Sequence, residues 1–298
     1  MLLTMVLGLA ACAGPAAVRP RSMPASDRTA LLRTDLDEVR AAHPGVLIAV
    51  AVRDRSTGVA LDLDADSVVH AASTMKVPVM VELYRQAETG TLSLDDRIAV
   101  ENRFRSIVDG SEYAIEDDSD DSLRLFLGQT MTLRDLDERM ITVSSNLATN
   151  LLIQHVGAPR VQATMERLGT TRMQVRRGVE DNLAYQAGLN NVTTARDLAT
   201  VLDRIAYGEA VSPSADAEMQ AVMRRQRFNE QIPAGLPPGT PVAHKTGWIT
   251  RHAHDAAIVE PVGKAPYVLV VLTRGFDAKA DADRVIAEIA RRTHEHLR

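Results

Sequence analysis

The stretch His70-Ala71-Ala72-Ser73-Thr74-Met75-Lys76-Val77-Pro78-Val79-Met80-Val81-Glu82-Leu83-Tyr84 decides how the chain is read. An apolar run of helical length follows a polar Ser with a Lys three residues on. If the helix starts near Ala71, Ser73 and Lys76 share one face, one turn apart. Ser73 then lies among first-turn N–H groups that lack intrahelical partners, at the positive end of the helix dipole. An ammonium beside the hydroxyl completes the requirements of an activated serine nucleophile. The plain alternative is a helix-capping Ser next to a surface Lys. Lysine usage weighs against it. Only four lysines (76, 245, 264 and 279) stand among 34 basic residues, the rest being Arg. Arg cannot serve as a base, whereas a buried Lys can.

A chain of 298 residues with 45% apolar content is long enough for one large domain or two interleaved lobes. The net charge of −5 and 3% aromatic content argue against nucleic acid as a partner. The single cysteine, Cys12, excludes internal disulfides and cysteine-rich metal sites. Met1 to Ala11 is too short to span a bilayer and reads as the apolar part of a signal peptide, residues 1–12. Its end, Leu9-Ala10-Ala11-Cys12, resembles a bacterial lipobox, although no Lys or Arg precedes the apolar run. That implies export to the periplasm and a membrane anchor through lipid on Cys12. Residues 13–25, rich in Ala, Pro and Arg, would be a flexible tether.

Helical spacing runs from Asp27 to Ala42 and stops at Pro44-Gly45. Val46–Val52 and Val59–Leu63 read as a hairpin of strands around Arg55-Ser56-Thr57-Gly58. The helix after Ser73 is apolar on nearly every side, hence buried. Glu116–Asp121 is expected to be a solvated acidic loop, without the Gly and terminal Glu of a known calcium loop. Helices follow from Thr132 to Arg139, Asn146 to His155, and Val161 to Leu168. Residues 171–191 form a long loop, of the kind that tends to be functional. Helices at Thr194–Tyr207 and Ser214–Arg225 lead to strands at Val242–Thr246, Asp255–Val259 and Tyr267–Thr273. A final amphipathic helix covers Ala280–Leu297. This order puts residues 26–74 and 212–298 in an α/β lobe and 75–211 in an all-helical lobe.

Three further sites join the Ser73 helix: Ser144-Ser145-Asn146, Arg177-Gly178-Val179-Glu180-Asp181, and His244-Lys245-Thr246-Gly247-Trp248. In that order they resemble the penicillin-recognising serine enzymes, and among them the class A β-lactamases. The resemblance runs from about residue 28 to the C-terminus and includes the flank Ile141–Leu152. It implies a mixed α/β, transpeptidase-like fold: an antiparallel sheet flanked by N- and C-terminal helices, plus the all-helical lobe. It also implies an acyl-enzyme hydrolase without metal or cofactor. Ser73 would be the nucleophile, Lys76 its base with Lys245 as depressing second cation, and Ser144 the proton donor to the leaving nitrogen. Asn146 would hold Lys76 and the substrate amide, and Lys245 and Thr246 the substrate carboxylate. Gly247 would allow close backbone approach, with the N–H groups of Ser73 and Trp248 as oxyanion hole. Glu180 would activate the deacylating water.

Several residues depart from the family pattern. Ser145 replaces the motif's Asp. The loop lacks the Asn that would share the hydrolytic water, for which Asn182 or Asn190 are candidates. Trp248 fills a rim position usually small, and His252-Ala253-His254-Asp255 stands where many members carry an Arg, leaving Arg251 and Arg274 as candidates. The stretch from Gly188 to Leu198 looks like a divergent branch described simply as serine hydrolases. His252 and His254 could share a strand face, but a hydrogen-bonding or substrate-facing role is preferred to a metal site. His70 and His155 are taken as packing residues. No Gly-x-Ser-x-Gly elbow supports a Ser-His-Asp triad. The expected substrate is a β-lactam, with a peptidoglycan stem peptide, or another amide or ester, as the alternative. A non-turning-over penicillin-binding module is the other rival, and a monomer is expected.

Overall fold

The structure, a computed structural model, describes residues 23–298. The leader with Cys12, and most of the expected tether, lie outside the described residues. Helix α1 (Ala25–Ala41) already begins at the last tether residue. Strands β1 (Leu47–Asp54) and β2 (Val59–Leu63) form the expected hairpin. Strand β3 (Val69–His70) leads into a 3-10 turn, Ala72–Met75, and then helix α2 (Lys76–Glu88). Short strands β4 (Arg97–Ala99), β5 (Phe104–Arg105), β6 (Glu112–Tyr113) and β7 (Thr130–Thr132) follow. Next come helices α3 (Leu133–Thr142), α4 (Asn146–Val156), α5 (Ala158–Leu168) and α6 (Asn182–Gln186), and strand β8 (Val192–Thr193). Helices α7 (Ala195–Ala206) and α8 (Pro213–Met223) precede β9 (Val242–Ile249), β10 (His252–Val259), β11 (Tyr267–Arg274) and α9 (Lys279–Leu297).

The main sheet has the order β2-β1-β11-β10-β9, antiparallel throughout. Chain ends thus meet in one sheet, with Ala51 opposite Val270. The central strands β1 and β11 are apolar on both faces because both faces are covered, whereas the edge strand β2 alternates. Leu269 and Val271 of β11 join Leu32 and Leu36 of α1 and Ile286 and Ile289 of α9. Val268, Val270 and Leu272 point the other way, into the core shared with α2, α4 and α7. This alternation is the period of two expected of a strand. Helix α2 is the hub of that second layer, packed against α3, α4, α5 and α8. Ten of its thirteen residues are buried, Lys76 among them.

Two expectations are corrected. The middle of the chain is not all helical: β4 pairs with β7 and β5 with β6, and β3 pairs with β8. These two- and three-residue strands are too short to carry a period. The acidic stretch is solvated only in part: Glu116, Asp117 and Asp121 are exposed. Asp118 and Asp120 are buried, because each is the hydrogen-bonding partner of groups far along the chain: Asp118 of the α4 N-terminus, Asp120 of Arg139. Helix α8 packs against α2, α3 and α7 as well as against β9.

One buried acid has no such partner. Asp137 on α3 is 1% exposed and neither carboxylate oxygen has a hydrogen-bond partner among the described residues. Burial, then Glu138 and Glu218, push its pKa well above the ordinary 3.8. The folded chain keeps a proton that the unfolded chain releases, so this contribution is full below the unfolded pKa and is lost as pH rises toward the folded one. Asp137→Asn removes the titration. Its Tm should lie near wild type at pH 4 and above it at pH 8, by about 2–4 °C per kcal/mol. An equal difference at both pH values in a melting series would contradict this assignment.

Candidate active site

Ser73 sits in the 3-10 turn that feeds α2, one residue after Ala72, whose φ is +46°. The Nδ1 of His70 accepts from the Ala72 N–H at 3.0 Å and holds this uncommon conformation. His70 is therefore more than the packing residue expected, and it lines the cavity. His155 is exposed on the last turn of α4. On the other side of Ser73 runs β9. A Cβ on Gly247 would lie 3.0 Å from the Ser73 nitrogen and 3.1 Å from that of Thr74, so only glycine lets the strand approach so closely.

Lys76 opens α2 with its side chain fully buried. Its Nζ donates to the Ser144 carbonyl (2.6 Å), the Ser144 hydroxyl (3.1 Å) and Asn146 Oδ1 (2.9 Å). Burial lowers its pKa to about 7, against the pull of Asp118 and Glu180. Burial is thus the first cause of the depression, where the sequence pointed to a second cation. Lys245, equally buried on β9, donates to the same Ser144 hydroxyl at 3.0 Å and to the Thr246 carbonyl at 2.8 Å. Its pKa is pushed well down by burial and by Lys76. Ser144 adopts φ +60° just before α4, which presents its hydroxyl between the two ammonium groups.

Asn146, the first residue of α4, joins this centre to the long loop. Its Nδ2 donates to Glu180 Oε1 at 2.7 Å while its Oδ1 receives Lys76. Glu180 Oε2 accepts from the Glu116 N–H at 3.1 Å. Burial raises the Glu180 pKa, partly offset by the Asn146 hydrogen bond. Glu180 itself has φ +59°. The loop is pinned by Asn150, whose Oδ1 accepts from Val179 N–H at 2.6 Å, and by Arg177, which donates to Leu189 and Gly178 carbonyls and to Asn190 Oδ1. Asn190 is thus engaged away from Glu180, and Asn182 lines the cavity.

The cavity encloses about 690 Å³ and is lined by Ser73, Ser144, Asn146, Glu180, Thr246, Gly247 and Trp248. Lys76 and Lys245 are fully buried and are not among the residues that line it, so of the two expected carboxylate binders Thr246 is the one on the cavity wall. Trp248, Tyr185 and Phe228 stand exposed around the mouth. Neither Arg251 nor Arg274 is among the lining residues; Arg251 pairs with Asp277 at 3.3 Å. His252 does line it. His254 is buried and donates from Nε2 to the His70 carbonyl at 2.9 Å, and burial lowers its pKa to about 4. No group of His, Cys, Asp or Glu able to hold a metal ion occurs among the described residues.

Sequence reasoning missed two residues here. Asp118 lines the cavity beside Asn146, and His70 orders the turn before Ser73. An acidic residue followed at a distance by a polar helix start is the one signal that could have found Asp118.

A family model described as the β-lactamase enzyme family matches residues 31–297. A β-lactamase of Bacillus amyloliquefaciens is 32% identical over 168 residues, 54% of this chain and 54% of that protein. The chain thus spans about half the length of the curated relatives it matches first. Among solved structures, an ancestral class A β-lactamase is 28% identical with a TM-score of 0.76, covering 89% of this chain and 99% of that one. PBP-A, at 24% identity, TM-score 0.76 and 93% and 98% coverage, shares the fold. A mutant of it was solved as an acyl-enzyme complex with penicillin G.

The contact at Gly247 is directly testable. Gly247→Ala places a methyl against two backbone nitrogens, and moving β9 away displaces any oxyanion donor on it. The rate of Ser73 acylation should fall by roughly 10²–10³-fold, as for loss of one oxyanion donor. Tm, followed alongside, should change little. Unchanged acylation would mean that β9 does not supply a donor.

Proposed function

The chain belongs to the β-lactamase enzyme family, and we propose that it is a serine hydrolase that opens the β-lactam amide through an acyl-enzyme on Ser73. One observation carries the reading: two buried lysines converge on the Ser144 hydroxyl, and Ser144 lines the same cavity as Ser73 and Glu180. With a pKa of about 7, Lys76 is partly neutral at physiological pH. The neutral amine has a free electron pair and takes the Ser73 proton as Oγ bonds to the carbonyl carbon. The negative oxygen is met by the Ser73 and Trp248 N–H groups. Collapse breaks the C–N bond, and Ser144 gives its proton to the departing nitrogen. The Ser144 oxygen is recharged from Lys76, which returns the centre to its starting protonation. Glu180, its pKa raised, then takes a proton from water as that water attacks the ester. As this second intermediate collapses, the C–Oγ bond breaks and the Ser73 oxygen takes the proton held by Glu180, giving the ring-opened acid, free Ser73 and the Glu180 carboxylate.

A second reading is a peptidoglycan D,D-peptidase or related amidase, or a penicillin-binding module that acylates and stalls. The arrangement of Glu180 favours it to this extent: both oxygens are already engaged, one by Asn146 and one by Glu116. All catalytic groups come from one chain, so a monomer suffices. We place the enzyme on the periplasmic side of a membrane, on the strength of Leu9–Cys12.

The test is turnover of a chromogenic cephalosporin, with intact-protein mass recorded after mixing. Wild type should turn over repeatedly, Ser73→Ala should neither turn over nor gain mass, and Glu180→Gln should hold an acyl adduct. A stable adduct in wild type would move the reading to the peptidase or the binding module. No adduct in any variant would sink the acyl-enzyme altogether. The acylation rate should rise with pH through about 7 as Lys76 loses its proton. Lys76→Arg, which cannot deprotonate, should slow acylation by about 10²–10⁴-fold.

A further inference from the structure

The second motif here reads Ser144-Ser145-Asn146, without an acid, yet the start of α4 is bound to a carboxylate. Asp118, 28 residues upstream of Asn146, is 8% exposed and both of its oxygens serve this turn. Its Oδ1 accepts from the Asn146 N–H at 2.8 Å and the Asp120 N–H at 3.1 Å. Its Oδ2 accepts from the Ser145 hydroxyl at 3.0 Å and the Leu147 N–H at 2.9 Å. Ser145 meanwhile caps the next amide, accepting from Ala148 N–H at 3.2 Å. The first three orphan donors of α4 are thus satisfied by a divided cap, one half in the motif and one half in the acidic loop. A negative charge also suits the positive end of the helix. The neighbouring Ser119 hydroxyl reaches the Val143 and Ser144 carbonyls at 2.7 and 2.9 Å, so the loop grips the turn from both sides.

What the cap fixes is chemical. The Asn146 side chain bridges Lys76 at 2.9 Å and Glu180 at 2.7 Å, linking the bases of the two half-reactions. We propose that Asp118 is the positioning carboxylate of the second motif, supplied from the preceding loop, and that it sets the placement of Asn146 for both acylation and deacylation. This rests on the acyl-enzyme reading above. Asp118 does not touch the reacting atoms; it acts through Asn146. An acid at position 145 could do the same work from inside the motif, so the carboxylate should be movable.

The experiment compares wild type, Asp118→Asn and the double variant Asp118→Asn with Ser145→Asp, using penicillin G as probe. Acylation and deacylation rates are read by rapid-quench intact mass, with Tm and pH profiles. In Asp118→Asn the amide NH₂ faces backbone N–H groups, so both rates should fall by about ten- to a hundredfold. Its acylation profile should also move to lower pH. Lys76 faces Lys245, Glu180 and Asp118, and removing Asp118 deletes one of the two acids that favour its charged form. In the double variant the amide introduced at position 118 can donate to the carboxylate introduced at position 145. Both rates and the profile should then return to within about threefold of wild type.

Wild-type rates and profile in Asp118→Asn would overturn the proposal. So would a folded double variant that regains Tm without regaining the rates, since that is what a purely structural role predicts. If Asp118→Asn does not fold, the double variant decides alone: wild-type-like rates support the proposal, and an inactive or unfolded protein overturns it. Failure of the acyl-enzyme reading is separate, since wild type itself would then gain no mass.

Discussion

Two ammonium groups share one hydroxyl. Lys76 and Lys245 both donate to Ser144 Oγ, at 3.1 and 3.0 Å, with no exposed surface on either side chain. Like charges removed from water at this range repel strongly, and burial disfavours each charged form. The arrangement persists because each Nζ also has a carbonyl oxygen within 2.8 Å and because acids stand around the pair: Asp118 and Glu180 by Lys76, Asp255 by Lys245. Burial, first of all, makes a neutral Lys76 amine accessible near neutral pH. Arg could not take this place and lose its charge, whereas a buried Lys can.

The fold exists in large part to bring three distant segments to this point. Ser73 and Lys76 enter on the turn into α2, Ser144 and Asn146 at the start of α4, and Lys245 to Trp248 on the edge strand β9. Helix α2 packs on α4, and β9 packs on the Ser73 turn. The sheet, which pairs β1 with β11 and is covered on both faces at its centre, supports β9 through β10. Loops then complete the cavity, each pinned by a buried side chain: Asn150 under the Glu180 loop, Asp118 against the α4 start.

Much of this was legible in the sequence, and for identifiable reasons. The apolar runs of β1, β11 and α2 and the Thr132 cap of α3 are local patterns, and local patterns survive without the fold. The candidate site segments could be picked out because their residue types are chemically restrictive and their order resembles that of a known family. What was not legible depended on distance. Asp118 looked like one acid in a solvated run because its partners lie 27 to 29 residues away. His70 looked like packing because its role is to accept one N–H beside a residue at positive φ. Lys245 was assigned to the substrate carboxylate, yet in the structure its ammonium turns inward to Ser144. Strand periodicity says which face a residue is on, not how deep its side chain ends.

The most direct measurement of the buried lysine pair is a site-resolved titration. With only four lysines, isotope labelling at the side-chain nitrogen gives a spectrum of four signals. Lys76→Arg assigns its own signal by deletion. Lys76 is expected to titrate near pH 7 and Lys245 well below the ordinary 10.5. Four lysines all titrating near 10.5 would contradict this: the pair would then be solvated, Ser73 would lack its base, and the reading of the site would have to change.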